Sequence, residues 1–215
     1  GQYDAALPLY QRCLDSLART GAADSHFALD CMDKIASTYQ DMGEMERARE
    51  MFEVCLEKSK ESIGISHPAT ITTTHNLGLL LGLMGINDAA ESLLLDAFDA
   101  RSSLYGSEHP YTLNTASALG VLYSELASTE KAEHFLNITY AGFLSYYGPC
   151  HPDTLTALNN LAAFNQDIAN YELAEEQYAH ALQGQIKILG SNHPDTLLTL
   201  YNQAALLSVS YTHLR

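Results

Sequence analysis

A tetrapeptide returns along this chain at a fixed step: HPAT at His67, HPYT at His109 and HPDT at His151 and His193, each 42 residues after the last. A glycine stands three residues before each, at Gly64, Gly106, Gly148 and Gly190. Two more columns keep the step. One is an alanine (Ala6, Ala48, Ala90, Ala132, Ala174), and the other a large apolar or aromatic residue (Tyr10, Phe52, Leu94, Leu136, Tyr178). Independent columns held in register over four or five copies mark a stack of one supersecondary unit, which buries its apolar face only against its neighbours. Most single-core folds are excluded on this ground alone.

Each unit reads as two helices. In HPxT the proline suits a first helical turn, where no N–H is needed, and aspartate or threonine beside it favours the positive helix end. Apolar residues then follow helical spacing, as at Leu155, Leu158, Leu161 and Ala162. A tight turn comes next, with Gly43 or Gly85 supplying left-handed backbone freedom and Ala127 and Ala169 in that place later. The second helix carries the alanine and, one turn on, the large residue. It stops at the glycine after Ile63, Tyr105, Tyr147 or Leu189, a C-cap pattern. The alanine column lets two helices approach, because a bulky residue there overpacks by ~1–3 kcal/mol. The first unit departs from the rule. His26-Phe27-Ala28-Leu29 replaces HPAT, and a first step of 41 rather than 42 residues puts Ser25 or His26 where His67 aligns.

Composition narrows the function. The 26 acidic and 11 basic residues give a formal charge of −15, and a pI near 4.8 lacks the basic footprint of a nucleic-acid binder. The longest apolar stretch, from Leu77 to Ile86, falls far short of the ~20 residues of a membrane span. Cys13, Cys31, Cys55 and Cys150 have no metal-site or disulfide-framework spacing, and isolated thiols suit a reducing cytoplasm. The histidines of HPxT fall one per unit and do not converge on an ion. No phosphate loop, nucleophile elbow or HExxH pattern is present, so the expectation is no enzyme, no metal and no cofactor. Asn137-Ile138-Thr139 matches a glycosylation sequon, but Thr139 shares a small-residue core column with Cys13, Cys55, Ala97 and Ala181, so chance explains it better.

Leu161-Ala162, Ala174, Tyr178 and Ala181 resemble the tetratricopeptide pattern, and the other units match column by column. The usual unit has ~34 residues. The longer unit with an HPDTL-type opening is similar to the repeats of kinesin light chains and to arrays at the C-terminus of some signal-transducing NTPases. The resemblance implies an all-α, right-handed α-solenoid of antiparallel helix pairs. The expected organisation is an array over 1–207: the second helix of a truncated repeat (1–24), full repeats at 25–66, 67–108, 109–150 and 151–192, and the first helix of another truncated repeat (193–207). The unpaired terminal helices suggest a fragment. The tail 208–215 stands apart, and Val209–Arg215 reads either as translated adapter read-through or as an ordinary helix end.

In that family the first helices line a concave groove. Carried over by position, the inward residues are Lys34; Thr72, His75 and Asn76; Asn114 and Ser117; Thr156, Asn159, Asn160 and Gln166; and Tyr201 and Asn202. Asn76, Asn160 and Asn202 share one column, which Lys34 and Ala118 interrupt. Each amide offers donors and an acceptor to an extended peptide backbone, or else serves as a solvated or inter-helix polar group. Relatives that take acidic ligands use Lys or Arg here, whereas this chain places only Lys34 there, so a neutral or basic segment is favoured. The function expected is a protein-interaction scaffold holding an extended peptide or a partner helix. The alternative is a sensing or oligomerising arm of a larger NTPase.

Overall fold

The computed structural model describes the backbone of residues 2–213 and the side chains of residues 5–208. Over the described residues the chain is ten α-helices without a strand. The first helices of the pairs are α2 (His26–Asp41), α4 (Pro68–Leu83), α6 (Pro110–Glu125), α8 (Pro152–Asp167) and α10 (Pro194–His213). The second helices are α1 (Gln2–Arg19), α3 (Met45–Ser62), α5 (Asn87–Tyr105), α7 (Thr129–Tyr147) and α9 (Tyr171–Leu189). α10 runs to His213, past the end at 207 that the repeat suggests. The two readings of Val209–Arg215 concern side chains outside the described residues.

The chain forms two compact units, Gly1–Arg101 and Ser102–Arg215. In the first, α1 packs on α2, α2 on α3 and α3 on α4, while α2 also touches α4. In the second, α6, α7, α8, α9 and α10 pack in sequence, and α6 touches α8 as α8 touches α10. First helices therefore meet across a repeat.

The HPxT column has a local cause. His67, His109 and His151 are the N-caps of α4, α6 and α8, each followed by a proline that has no N–H to satisfy. The imidazole Nδ1 accepts the backbone N–H two residues on, from Ala69, Tyr111 and Asp153, at 3.2 Å each. His193 does the same with Asp195 at 3.3 Å. An accepting Nδ1 carries no proton, so this job needs the neutral ring. The threonine ties the turn back: Thr70 and Thr112 donate to the carbonyls of Gly64 and Gly106 at 2.8 Å, and Thr154 to that of Phe143 at 3.1 Å. Ser25, not His26, caps α2 by accepting from Ala28 at 3.3 Å, so the 42-residue step holds for the first unit too.

The alanine and large-residue columns form the core. Ala48, Ala90, Ala132 and Ala174 are fully buried, as are Phe52, Leu94, Leu136 and Tyr178. Each large side chain covers a minimal one on the paired helix. A Cβ on Gly78 would sit 2.9 Å from Leu94 Cγ, and one on Gly120 2.8 Å from Leu136 Cγ. Tyr178 packs with Ala162, Ala174 and Leu206 in the same way. Cys55, Ala97, Thr139 and Ala181 are buried together in the small-residue column, with Cys13 half-buried. In the intra-repeat turns Ala127 and Ala169 adopt φ of 53° and 61°, the left-handed conformation that Gly43 and Gly85 hold elsewhere.

Candidate functional site

The outward stripe of each first helix follows a four-three-four spacing. On α4 it is Thr72, Asn76, Leu79 and Leu83; on α6, Asn114, Ala118, Val121 and Glu125; on α8, Thr156, Asn160, Ala163 and Asp167. Thr72, Asn114 and Thr156 are exposed, and Lys34 and Tyr201 are exposed on α2 and α10. Thr72 also donates to its own helix at Pro68, 2.9 Å away. Asn76, Ser117, Asn160, Gln166 and Asn202 are half-buried, and His75 and Asn159 are buried.

The three half-buried asparagines have partners inside the protein. Asn76 Nδ2 donates to both carboxylate oxygens of Asp33, at 3.3 and 3.4 Å. Asn160 Nδ2 donates to Ser117 Oγ at 3.5 Å, and Asn202 Nδ2 to Asn159 Oδ1 at 3.3 Å. All three span the same sequence separation of 43 residues. The asparagine column is thus an interrupted ladder that joins α4 to α2, α8 to α6 and α10 to α8. Its acceptor column, Asp33, His75, Ser117, Asn159 and Tyr201, also follows the repeat step. Ala118 stands in the amide column, so the chain carries no amide at the rung after His75. The inter-helix reading of these amides is the one the geometry displays, and only part of each is left for a ligand.

Asp33 is the residue that sequence reasoning passed over. Burial pushes its carboxyl above the ordinary aspartate value, against the opposing hydrogen bond from Asn76, the Lys34 charge and the Thr73 hydroxyl. Thr73 Oγ1 reaches it at 3.2 Å. A 43-residue donor–acceptor offset between columns was the available signal. His75 is the reverse case. Burial, then the Arg101 guanidinium, lowers its pKa to about 3, and its Nδ1 has no hydrogen-bond partner. It is neutral and inside the unit rather than on the face.

Missed by the sequence reading were the apolar and acidic ends of the stripe. Leu79, Leu83 and Val121 are exposed on first helices. Between α6 and α8 a cavity of about 230 Å³ has Val121, Leu136 and Phe164 as apolar walls and Glu125, Asp167 and Asn160 as polar ones. Ser124 donates to Asp167 at 3.3 Å. Lys34 is the sole Lys or Arg in the described first helices, which also carry Asp30, Asp33, Asp41, Glu125, Asp153, Asp167 and Asp195. Gln166 Oε1 is buried without a partner.

Among the described residues no cluster of His, Cys, Asp or Glu is arranged to hold a metal. No described helix is long and apolar enough to cross a membrane. The described thiols are free. Burial raises that of Cys31 to about 11, with its neighbour Cys13 and the Asp30 carboxylate adding to the shift.

This arrangement has solved counterparts. BtubC (BKLC) from P. vanneervenii superposes with a TM-score of 0.77 at 16% identity, over 98% of this chain and 85% of that one. A kinesin-light-chain-like protein of Podosopora anserina, with nearly identical TPR-like repeats, gives 0.71 at 23% identity over 86% and 88% of the two chains. A single-residue variant of it gives 0.72 at 22% identity over 86% and 87%. At these identities the likeness concerns the fold. No curated protein matches the sequence. The tetratricopeptide repeat model matches residues 1–61, 30–99, 70–145 and 146–208. Helix pairs, buried alanine column and family match agree: the chain belongs to the tetratricopeptide repeat family, with kinesin-light-chain-like neighbours in structure, a family whose repeats commonly serve as protein-interaction scaffolds.

Proposed function

We propose that this chain is a non-enzymatic, cytoplasmic interaction scaffold that holds an extended, neutral or basic peptide segment along the outward stripe of its first helices. The observation that carries the reading is the makeup of that stripe. Exposed Thr72, Asn114 and Thr156 alternate with exposed Leu79, Leu83 and Val121, and carboxylates far outnumber the one cation, Lys34. Exposed polar groups two turns from exposed apolar ones on the same helix face suit an extended backbone with alternate side chains. The ladder holds the first helices in place beforehand, so the receptor loses little order on binding and only the peptide loses its own. Lys34, His75, Asn76, Ser117, Asn159, Asn160, Gln166 and Asn202 support the groove from beneath or at its rim, and Tyr201 offers an exposed ring at its end. The excess of carboxylates disfavours nucleic acid, whose phosphates need basic neutralisation.

The charge sign gives the test. A lysine-bearing peptide should bind at least about tenfold more tightly than its glutamate-bearing counterpart at low ionic strength. The ratio should shrink toward unity at about 0.5 M salt, where exposed charges are screened beyond a few ångströms. Fluorescence anisotropy with the two labelled peptides measures it. Equal binding, or preference for the acidic peptide, contradicts the reading.

A further inference from the structure

The turns on either side of α7's helix pair carry a feature the repeat does not require. Tyr105 stacks on His109 with ring centroids 4.7 Å apart, and Tyr111 closes on both at 5.7 and 5.2 Å. One repeat on, Tyr147 stacks on His151 at 3.8 Å and 9°, with Tyr146 edge-on to Tyr147 at 4.8 Å. The two groups are neighbours. Burial first, and then Asp153, Tyr146 and Tyr111, raise the pKa of the Tyr147 phenol.

Packing alone does not call for these rings. At the equivalent positions other repeats place Ile63 and Leu189 for Tyr105 and Tyr147, and Ala69 and Asp195 for Tyr111. Their N-caps and C-caps form all the same. Tyr111 and Tyr146 are 55% and 58% exposed. Tyrosine in contiguous exposed groups is the residue type that dominates binding hot spots. The surrounding charges are acidic: Glu108 lies in the turn before α6 and Asp153 in the first turn of α8, and residues 102–215 hold ten carboxylates against Lys131, Lys187 and Arg215.

We infer that this aromatic edge is a second docking site, separate from the first-helix stripe, for an arginine-bearing segment of a partner protein. A guanidinium stacks flat on a tyrosine face and meets the ring's negative quadrupole, while Glu108 and Asp153 supply the opposite charge. An ammonium has no plane to stack, and a neutral planar group has no charge, so arginine is the side chain that answers both halves of the patch.

The probe is a short Gly/Ser peptide carrying two arginines, compared with its lysine and citrulline analogues. It is titrated into the full chain while the ring signals of specifically labelled tyrosines are followed by NMR. Arginine should shift the Tyr111 and Tyr146 rings and bind about two- to fivefold more tightly than lysine or citrulline, as exposed cation–π contacts allow. The double variant Tyr111→Ser/Tyr146→Ser should lose about tenfold, Tyr111→Phe/Tyr146→Phe should keep affinity, and Glu108→Gln/Asp153→Asn should weaken binding and flatten its salt dependence. Circular dichroism checks that each variant remains helical. Equal binding of citrulline would make this an apolar docking face and overturn the assignment. So would arginine binding with unmoved rings, indifference to the serine variant, or ring shifts that follow self-association in sedimentation. The stripe reading survives any of these, because it predicts shifts on α4, α6 and α8 that the tyrosine variants leave alone.

Discussion

Replacing Tyr178 by alanine should lower the stability of the second unit by about 3–5 kcal/mol, the range for emptying an aromatic site in a close-packed core. Tyr178 is almost wholly buried and packs against Ala162 of α8, Ala174 of its own helix and Leu206 of α10. The small residues around it have no side chain with which to refill the space. Burial, with the Asp167 charge, also raises its phenol to about 12, as expected for a ring held away from water. Tyr10 provides an internal comparison. It occupies the same column on α1 but is half-buried, so Tyr10→Ala should cost less than half as much. In a solenoid the damage stays with nearest neighbours. Hydrogen exchange should therefore accelerate in α8, α9 and α10 before α6. Urea denaturation of the two variants measures the contrast; equal losses, or a Tyr178→Ala loss under about 1 kcal/mol, would contradict this description of the core.

Acid should destabilise the first unit through His75. Its pKa is lowered to about 3 in the fold by burial and by Arg101, against about 6.5 in an unfolded chain. Below pH 6.5 the unfolded state takes up the proton and the folded state does not, so stability falls as pH drops from 6.5 toward 3. The slope approaches about 1.4 kcal/mol per pH unit, for a total of roughly 5 kcal/mol. Asp33 acts in the opposite sense, since burial raises its pKa. Its folded form accepts a proton more readily than the unfolded chain, and stability is regained as pH falls through that range. Comparison with His75→Asn, the residue that the column carries at Asn159, removes the aspartate contribution. The wild-type loss between pH 6.5 and 4 should be largely absent in the variant. A His75 ring that titrates near 6.5 by NMR, or identical acid profiles for the two proteins, would refute the buried neutral histidine.

The fold was legible because its cause is periodic. Proline after a cap, a threonine that ties the turn and an alanine under a large residue each recur every 42 residues, and a recurrent column reports a contact that every unit makes. The capping role of the histidine was less visible, since histidine is not a preferred N-cap; the turn and the following proline bring Nδ1 to the N–H two residues on. The face was legible only in part. Helical spacing places Thr72, Asn114 and Thr156 outward, and they are exposed. It also places Asn76, Asn160 and Asn202 there, but whether an amide faces solvent or a neighbouring helix depends on the approach of two first helices. One turn of spacing does not encode that distance. His75 lies one residue from Asn76, and 100° of rotation is enough to bury it.

A binding face on the first helices is the central proposal. NMR amide shifts on adding a saturating lysine-bearing peptide test it most directly. The prediction is perturbation at Thr72 and Leu79 on α4 within the first unit, and at Asn114 and Val121 on α6 and Thr156 on α8 within the second. Perturbations confined to the exposed outer positions of the second helices, such as Ser92, His134 and Glu176, would place the partner on the opposite side and contradict the account.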